Sequence, residues 1–357
     1  MIQPTDNTRI VMLDALRGLA LAGILLLHHI EHFDFYTKAL FRPDWLIPID
    51  KWVWQHVFLF FSGKAFSIFS LLFGFSYWII YENAKNRGEP YFLRHFWRMA
   101  LLAGFGGLHI LFFRGDILIL YAVLGIPLVL TRFMSNKAII ITAAILLLNP
   151  VSLYTIVSFV FGSELVDFRM AFPAADMKKT LAEGSFFEVV KMNILIGYQT
   201  TVIWSWNAGR IFTISGLFLL GVYFAKSRSF TDRPLQFWYS ILVASVIAWL
   251  CFDLLYDAWA MKIDKKPSRK LFTSIIDAYI KLSMMFSILS TFIIMWRHNE
   301  GNVLFAKFTH FGRMGLTNYL LMSFIGTVLY YGWGFSLYQY CGSTITLFIG
   351  IFVLMLQ

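Results

Sequence analysis

The segment Arg9–Phe33 constrains this chain most, because it is long enough to cross a bilayer and yet carries ionisable groups near both ends. About 20 apolar residues, each rising 1.5 Å, span a hydrocarbon core of about 30 Å. On a helix, four polar residues of the segment fall on one stripe, within about 60° of the first of them: Asp14, Arg17, His28 and His32. Ionisable groups are costly in lipid, so we expect this stripe to face protein or a water-filled cavity.

Two interpretations of this stripe stay open. In the first, Arg17 pairs with Asp14 across one helical turn near the membrane surface, and the histidines are interfacial. In the second, the stripe lines a site that is reachable from both sides of the membrane. Leu21 and Leu25 fill its middle in either case.

The composition indicates an integral membrane protein. The 357 residues are 59% hydrophobic and only 14% charged, whereas soluble domains carry about 25% charged residues. Apolar runs recur from end to end with no polar domain between them, which predicts a single membrane domain over residues 1–357. The expected fold class is all-α, a polytopic membrane helix bundle of about ten transmembrane helices.

Three stretches interrupt the regular pattern of apolar runs. The run 138–161 is broken by an Asn-Pro dipeptide. The run 194–225 is too long for one crossing, so we expect its part before Asn207 to be re-entrant or interfacial. The stretch at about 162–193 is the least apolar part and is predicted to be an aqueous loop.

Charge and cysteine content exclude other classes. The net charge of +10 does not indicate nucleic-acid binding, because Lys and Arg cluster in the loops between apolar runs, as anionic headgroups and the positive-inside rule favour. The distribution of these loops predicts a cytoplasmic N-terminus. The two cysteines, Cys251 and Cys341, lie within or at the edge of apolar runs and imply neither a disulfide framework nor a metal site.

The second apolar run contains a polar stripe and a lysine. Counted from His56, four small or hydroxyl residues lie within about 40° of one helical direction: Gly63, Ser67, Ser70 and Gly74. Such a stripe permits close helix contact. Lys64 lies inside the same run, where it either reaches the surface along its own stem or meets a carboxylate or carbonyl partner.

A histidine and an aspartate flank the turn between the third and fourth runs. His109 and Asp116 are seven residues apart, and Arg98 lies eleven residues before His109, near the same helical face. A carboxylate can hold an imidazole in one tautomer and raise its basicity, as a general base requires. Equally, Asp116 can cap the helix that begins at Ile117.

Two features lie nearer the C-terminus. Asn318 is a polar amide within an apolar helix, so we expect it to bond across a helix interface. Asp277 and Lys281 are four residues apart and most simply form an ion pair.

Four motifs carry a resemblance to a known family: LDALRGLALAGILLL, GKAFSIFSLLFG, LHILFFRGDILILYAVLG and GRMGLTNYLLMSFIGTVLYY. Together, and in this order, they resemble the YeiB-type bacterial membrane proteins. That family is more distantly similar to the transmembrane acyltransferase superfamily that includes heparan-α-glucosaminide N-acetyltransferase. Those enzymes move an acyl group from cytosolic acyl-CoA to a sugar on the far side of the membrane. The resemblance therefore implies the bacterial cytoplasmic (inner) membrane as the location.

The resemblance covers eight residues of this chain: Asp14, Arg17, Gly18, Lys64, Arg98, His109, Asp116 and Asn318. The sequence departs from the family pattern at His28, where an asparagine usually closes the first helix.

The resulting hypothesis is a membrane-embedded acyltransferase that moves an acyl group from cytosolic acyl-CoA to an envelope glycan or glycolipid. The candidate catalytic residues are His28, His32, His56, His109 and Asp116. The candidate substrate-binding residues are Asp14, Arg17, Lys64, Arg98 and Asn318. One of the histidines would take the acceptor's proton, and the cations would neutralise the donor phosphates. Acyl-CoA enters as the donor substrate, and no metal is expected.

The alternative is a proton-coupled transporter or lipid flippase in which the same histidines relay protons. A structural or regulatory membrane protein without a site is the third hypothesis. The expected partners are membrane lipids and the glycan or glycolipid acceptor, without nucleic acid, and a homodimer is left open.

Overall fold

The computed structural model describes residues 10–37, 39–161, 168–173, 176–262, 266–299 and 302–357, and every regular element in them is helical. This confirms the all-α prediction. The α-helices are α1 (Val11–Ile30), α2 (Ile47–Phe61), α3 (Ala65–Asn86), α4 (Phe92–Ile110), α5 (Leu118–Gly125), α6 (Asn136–Leu147), α7 (Pro150–Val160), α8 (Met177–Glu183), α9 (Phe186–Met192), α10 (Tyr198–Asn207), α11 (Arg210–Lys226), α12 (Ser229–Asp232), α13 (Leu235–Lys262), α14 (Lys266–His298), α15 (Val303–Arg313), α16 (Gly315–Tyr330) and α17 (Ser343–Leu356).

Only some of these helices are long enough to cross a bilayer. In the described ranges, four segments have the necessary length and apolar character: Val11–Ile30, Asp44–Asn86, Leu235–Trp259 and Phe272–His298. Two bent pairs raise the number to six if each pair is one span. The expected count of about ten crossings is not confirmed and stays a prediction. A straight crossing needs about 20 residues, and several apolar runs, including those of α16 and α17, form shorter helices.

Both interruptions expected within long apolar runs are bends. The axes of α6 and α7 differ by 53°, and Asn149 between them has a left-handed backbone (φ 48°). The segment Phe186–Asn207 meets α11 at 70°, and Gly209 at that bend is also left-handed (φ 66°). A side chain on Gly209 would overlap the Asn149 amide, so the two bends pack directly on each other. Arg210, the first residue of α11, therefore begins its helix inside the bundle.

Helix α1 is packed against α2, α3, α15, α16 and α17. Its closest neighbour is α15, because a side chain on Gly18 would overlap the Phe308 carbonyl and one on Gly312 would overlap the Asp14 carbonyl. Small residues allow helix backbones to approach in this way. Helix α15 was not predicted from the sequence, because its eleven residues include Lys307, Thr309 and His310 and so lack an apolar run.

The second apolar run is divided between α2 and α3. The division lies at residues 62–64, where Gly63 is left-handed (φ 79°). The expected continuous stripe from His56 is therefore interrupted. The hydroxyl of Ser67 donates to the Gly63 carbonyl at 2.6 Å, and that of Ser70 donates to the Phe66 carbonyl at 2.8 Å.

Basic connections gather at one end of the bundle, which we call the basic end. The Arg297 guanidinium donates to the carbonyls of Phe230 and Arg233 at 2.8 and 2.6 Å, and the Lys226 ammonium donates to the Met134 carbonyl at 2.9 Å. The first turn of α1 lies beside Arg297.

The opposite end of the bundle, which we call the loop end, holds the connections 31–46, 111–117 and 331–342 together with α8 and α9. The Tyr331 hydroxyl donates to the Phe33 carbonyl at 2.7 Å, and the Gly332 amide donates to the Leu181 carbonyl at 2.8 Å. Of the predicted aqueous loop, residues 162–167 and 174–175 lie outside the described residues. The single membrane domain over residues 1–357 stays a prediction.

Candidate functional site

The turn between α4 and α5 brings His109 and Asp116 into direct contact. The Nδ1–H of His109 donates to Oδ1 of Asp116 at 2.8 Å, and the backbone N–H of Ile119 donates to Oδ2 at 2.9 Å. Asp116 therefore does both things that the sequence left open: it orients the imidazole, and it caps the first turn of α5.

The second ring nitrogen of His109 has no hydrogen-bond partner in the part of the chain that the structure describes. The side chain is 1% exposed, and among the described residues no hydrogen bond reaches its Nε2. Because Nδ1 carries the proton, Nε2 holds the lone pair. The ring centroids of Tyr319 and Phe113 lie 4.9 and 5.7 Å away. A buried acceptor without a donor is costly, so this nitrogen is suited to receive a proton from a bound hydroxyl or amine.

A second histidine–carboxylate pair lies at the end of α1. The Nδ1–H of His28 donates to Oε2 of Glu31 at 3.1 Å, and the Tyr36 hydroxyl donates to Oε1 at 3.0 Å. Glu31 is buried, whereas the His28 side chain is 19% exposed. Glu31 was not among the predicted site residues, although its spacing of three residues from His28 is a usable signal.

The two pairs share an aromatic neighbour. The Phe113 ring centroid lies 5.2 Å from that of His28 and 5.7 Å from that of His109. Phe33 contacts both His28 and Phe113, with centroid distances of 5.7 Å in each case. Two of the four histidines named as candidates therefore converge, together with Asp116, on one region near the loop end.

Arg210 lies in the same region. Its guanidinium is positioned over the rings of Trp204 and Phe66, at 3.9 and 4.2 Å from their centroids. Charge interactions connect it with Glu31 and Asp34. Arg210 was not among the predicted site residues, because its aromatic partner Phe66 is 144 residues away in the chain.

Arg114 forms an ion pair at the edge of this region. Its Nε lies 2.9 Å from Oδ2 of Asp34, and a terminal N–H of its guanidinium donates to the Asp34 carbonyl at 2.9 Å. Burial raises the pKa of the Asp34 carboxyl, which the Arg114 guanidinium opposes. The hydroxyl of Thr201 on α10 donates to the Arg114 carbonyl at 2.8 Å, so the bent segment positions this turn.

Helix geometry places the polar groups in one layer. Arg210 is sixteen residues from Lys226 at the basic end of α11, a rise of about 24 Å. His109 is seventeen residues from Phe92 at the start of α4, a rise of about 26 Å. In a hydrocarbon core of about 30 Å, this layer lies in the half nearer the loop end.

Three predicted residues do not join this region. His56 stacks on Trp52 at 4.1 Å and donates to its carbonyl at 2.8 Å on the outer side of α2. Arg98 is exposed beside Tyr91 near the start of α4, whereas His109 is buried in its last turn. His32 leaves the predicted stripe because α1 ends at Ile30, and it bonds the Cys341 carbonyl at 2.8 Å.

The Asp14–Arg17 pair predicted by the first interpretation of α1 is present. Arg17 contacts Asp14 at 2.5 Å and donates to the Ser76 hydroxyl at 2.6 Å. Arg313 lies 3.9 Å from the other Asp14 oxygen. These contacts tie α1 to α3 and α15 in the half of the bundle nearer the basic end.

Asn318 and the Asp277–Lys281 pair also behave as expected. The Asn318 amide donates to the Phe311 carbonyl at 2.8 Å and so joins α16 to α15. Lys281 contacts Asp277 at 2.5 Å. Lys64 is buried near this pair. Within the described part of the chain, no group of three or more His, Cys, Asp or Glu residues is arranged to hold a metal ion.

The C-terminal part of the chain, residues 224–357, matches the family model "Protein of unknown function (DUF418)". The "Uncharacterized protein YxaH" of Bacillus subtilis (strain 168) is 28% identical over 369 residues, which cover 94% of this chain and 85% of the relative. The "Uncharacterized protein YeiB" of Escherichia coli (strain K12) is 34% identical over 122 residues, which cover 33% of this chain and 30% of the relative.

A third relative, the "Uncharacterized 39.9 kDa protein in amylase 3'region" of Bacillus acidopullulyticus, is 31% identical over 40% of this chain and 39% of its own length. No solved structure matches. The family model and these relatives support the resemblance of this chain to the YeiB-type proteins.

Proposed function

We propose that this protein is a membrane-embedded acyltransferase that moves an acyl group from cytosolic acyl-CoA to an envelope glycan or glycolipid. One observation carries the proposal: the buried His109 imidazole is held by Asp116 at 2.8 Å and keeps a second nitrogen without a partner among the described residues. This is the arrangement of a general base whose proton acceptor faces a substrate.

In the proposed reaction, His109 Nε2 takes the proton of the acceptor hydroxyl or amine while that atom attacks the thioester carbonyl. The new bond to the acyl carbon forms, the carbon–sulfur bond breaks, and the imidazolium returns its proton to the departing CoA thiolate. The Asp116 carboxylate stabilises the imidazolium through the hydrogen bond to Nδ1. Arg210 supplies positive charge in the same layer, where negative charge develops on the carbonyl oxygen.

The proposed orientation puts the basic end and the N-terminus on the cytoplasmic side of a bacterial inner membrane, in agreement with the positive-inside rule. Arg98, exposed beside Tyr91 nearer the basic end, is then available to donor phosphates. Arg17 lies in the same half, bound to Asp14 and Ser76. Lys64 is fourteen residues from Trp78, which contacts Lys226, and therefore lies about 21 Å from the basic end, away from these two cations.

Transfer of a labelled acyl group tests the proposal. Wild-type protein in nanodiscs, given radiolabelled acetyl-CoA and a glycolipid extract of bacterial envelopes, is expected to label the glycolipid and release CoA. His109→Gln is expected to lower the rate about 10²- to 10⁴-fold. Folded wild-type protein that transfers no label from a panel of acyl-CoA donors would contradict the proposal.

A proton-coupled transporter or lipid flippase is the second candidate, and a specific observation favours it. Three buried imidazole nitrogens lack a partner among the described residues: His29 Nε2, His32 Nδ1 and His109 Nε2. Such groups can relay protons across a bundle. Substrate-dependent proton uptake into proteoliposomes without release of CoA would support this function over acyl transfer.

A further inference from the structure

Lys64 is a buried cation for which the described ranges of the chain supply no ion-pair partner. Its side chain lies at the boundary between α2 and α3, and the residue is 3% exposed. Among the described residues, no hydrogen bond or ion pair reaches its ammonium. The charged groups that face it are Lys281 and Asp277, both on α14.

Asp277, the carboxylate near Lys64 in the described part of the chain, is already engaged. Asp277 lies 2.5 Å from the Lys281 ammonium, so the cluster of Lys64, Lys281 and Asp277 carries one uncompensated positive charge. A buried charge without a counter-charge is costly, and within a membrane it marks a functional site by default.

The first turn of α3 lies at the same point, next to the C-terminal end of α2. Gly63 is left-handed, and the stem of Lys281 lies against it, because a side chain on Gly63 would come 2.6 Å from Lys281 Cδ. The break starts a helix of 22 residues, and the first amides of such a helix have no intrahelical partners. They point toward the break and favour an anion there.

We propose that Lys64, Lys281 and the first turn of α3 bind an anionic phosphate headgroup. A phosphate would supply the missing negative charge, and lysine ammonium groups bind phosphate as point charges. The cluster opens outward beside α14, where the side chains of Lys281 and Asp277 are 34% and 42% exposed. A headgroup can therefore enter from the leaflet at the loop end. The site needs no acyl-transfer activity.

The cluster allows two substitutions with opposite effects. Lys64→Met removes the charge but keeps the length of the side chain, so affinity for phosphate is expected to fall about tenfold or more. Asp277→Asn releases Lys281 from its carboxylate and raises the positive charge, so affinity is expected to rise about threefold or more. Lys51→Met is the matched control, because Lys51 is an exposed lysine on α2.

Thermal melting of the purified full chain in neutral detergent, titrated with dioleoyl phosphatidylglycerol, measures these affinities. Dioleoyl phosphatidylcholine and inorganic phosphate are titrated in parallel. Wild-type protein and Lys51→Met are expected to bind phosphatidylglycerol alike and about tenfold more tightly than phosphatidylcholine. Competition between inorganic phosphate and phosphatidylglycerol would support a phosphate site at this cluster. It would also show that a soluble phosphate ligand can occupy the site.

Equal affinity of the wild-type protein and Lys64→Met for phosphatidylglycerol would overturn the proposal. Weaker binding by Asp277→Asn would also overturn it, and this arm remains informative if Lys64→Met does not fold. Without lipid, Lys64→Met is expected to melt at a higher temperature than wild type, because it removes an uncompensated buried charge. A lower melting temperature for a folded Lys64→Met protein would contradict the proposal that the Lys64 ammonium lacks a counter-charge when no lipid is bound.

Discussion

At the residue scale, the two histidine–carboxylate pairs differ in burial. The His28 side chain is 19% exposed and its Glu31 partner also accepts from Tyr36. The His109 side chain is 1% exposed and donates to Asp116. Burial strengthens the interaction between imidazole and carboxylate. His109 is therefore the stronger candidate for the base, and His28 is the candidate that water or substrate reaches first.

Asp116→Asn separates the two roles of this residue. The asparagine oxygen still accepts the Ile119 amide, but its NH₂ donates to His109 Nδ1 and so places the imidazole proton on Nε2. Acyl transfer is expected to fall about 10²-fold or more with little change in melting temperature. Asp116→Ala, the comparison variant, is expected to lose activity and also about 0.5–2 kcal/mol of stability with the helix cap. Unchanged activity in folded Asp116→Asn would show that catalysis does not depend on Asp116 orienting the His109 imidazole.

At the element scale, the contact between α1 and α15 depends on glycine. Gly18→Ala would place a methyl group against the Phe308 carbonyl, and we expect a loss of about 1–3 kcal/mol in the free energy of unfolding. Gly104→Ala on α4 is the control, because nothing lies within 4 Å of the added carbon, and it should stabilise by about 0.5–1 kcal/mol. Chemical denaturation of both variants measures the difference. Equal effects would show that the close contact does not matter.

The connection between α3 and α4 predicts a pH dependence. Hydrogen bonds from Arg87 and Arg94 lower the pKa of Glu89 to about 2. The ion pairs are therefore complete above pH 4.5, the ordinary pKa of the carboxyl, and are lost as the pH falls through about 2. Carbon-13 NMR of glutamate-labelled protein, with Glu89→Gln to assign the signal, should show a midpoint below 3. A midpoint near 4.5 would mean that the pairs are absent in solution.

Across the whole molecule, the features predicted correctly from the sequence are those that depend on residues close together in the chain. Helical class and the breaks near Asn149 and Asn207 followed from apolar runs, proline and glycine, which act over a few residues. The His109–Asp116 contact also spans a single turn. Arg210 beside Phe66 and the packing of α15 on α1 depend on contacts between distant segments, and no local pattern indicates them.

The basic end and the polar layer of the molecule lie about 24–26 Å apart. We propose acyl transfer across that distance. Proteoliposomes with labelled acetyl-CoA supplied only at the basic end test it most directly. With wild-type protein we expect label on a glycolipid acceptor in the opposite leaflet, and with His109→Gln none above background. Label that appears equally with His109→Gln, or only in the leaflet on the donor's side, would contradict it.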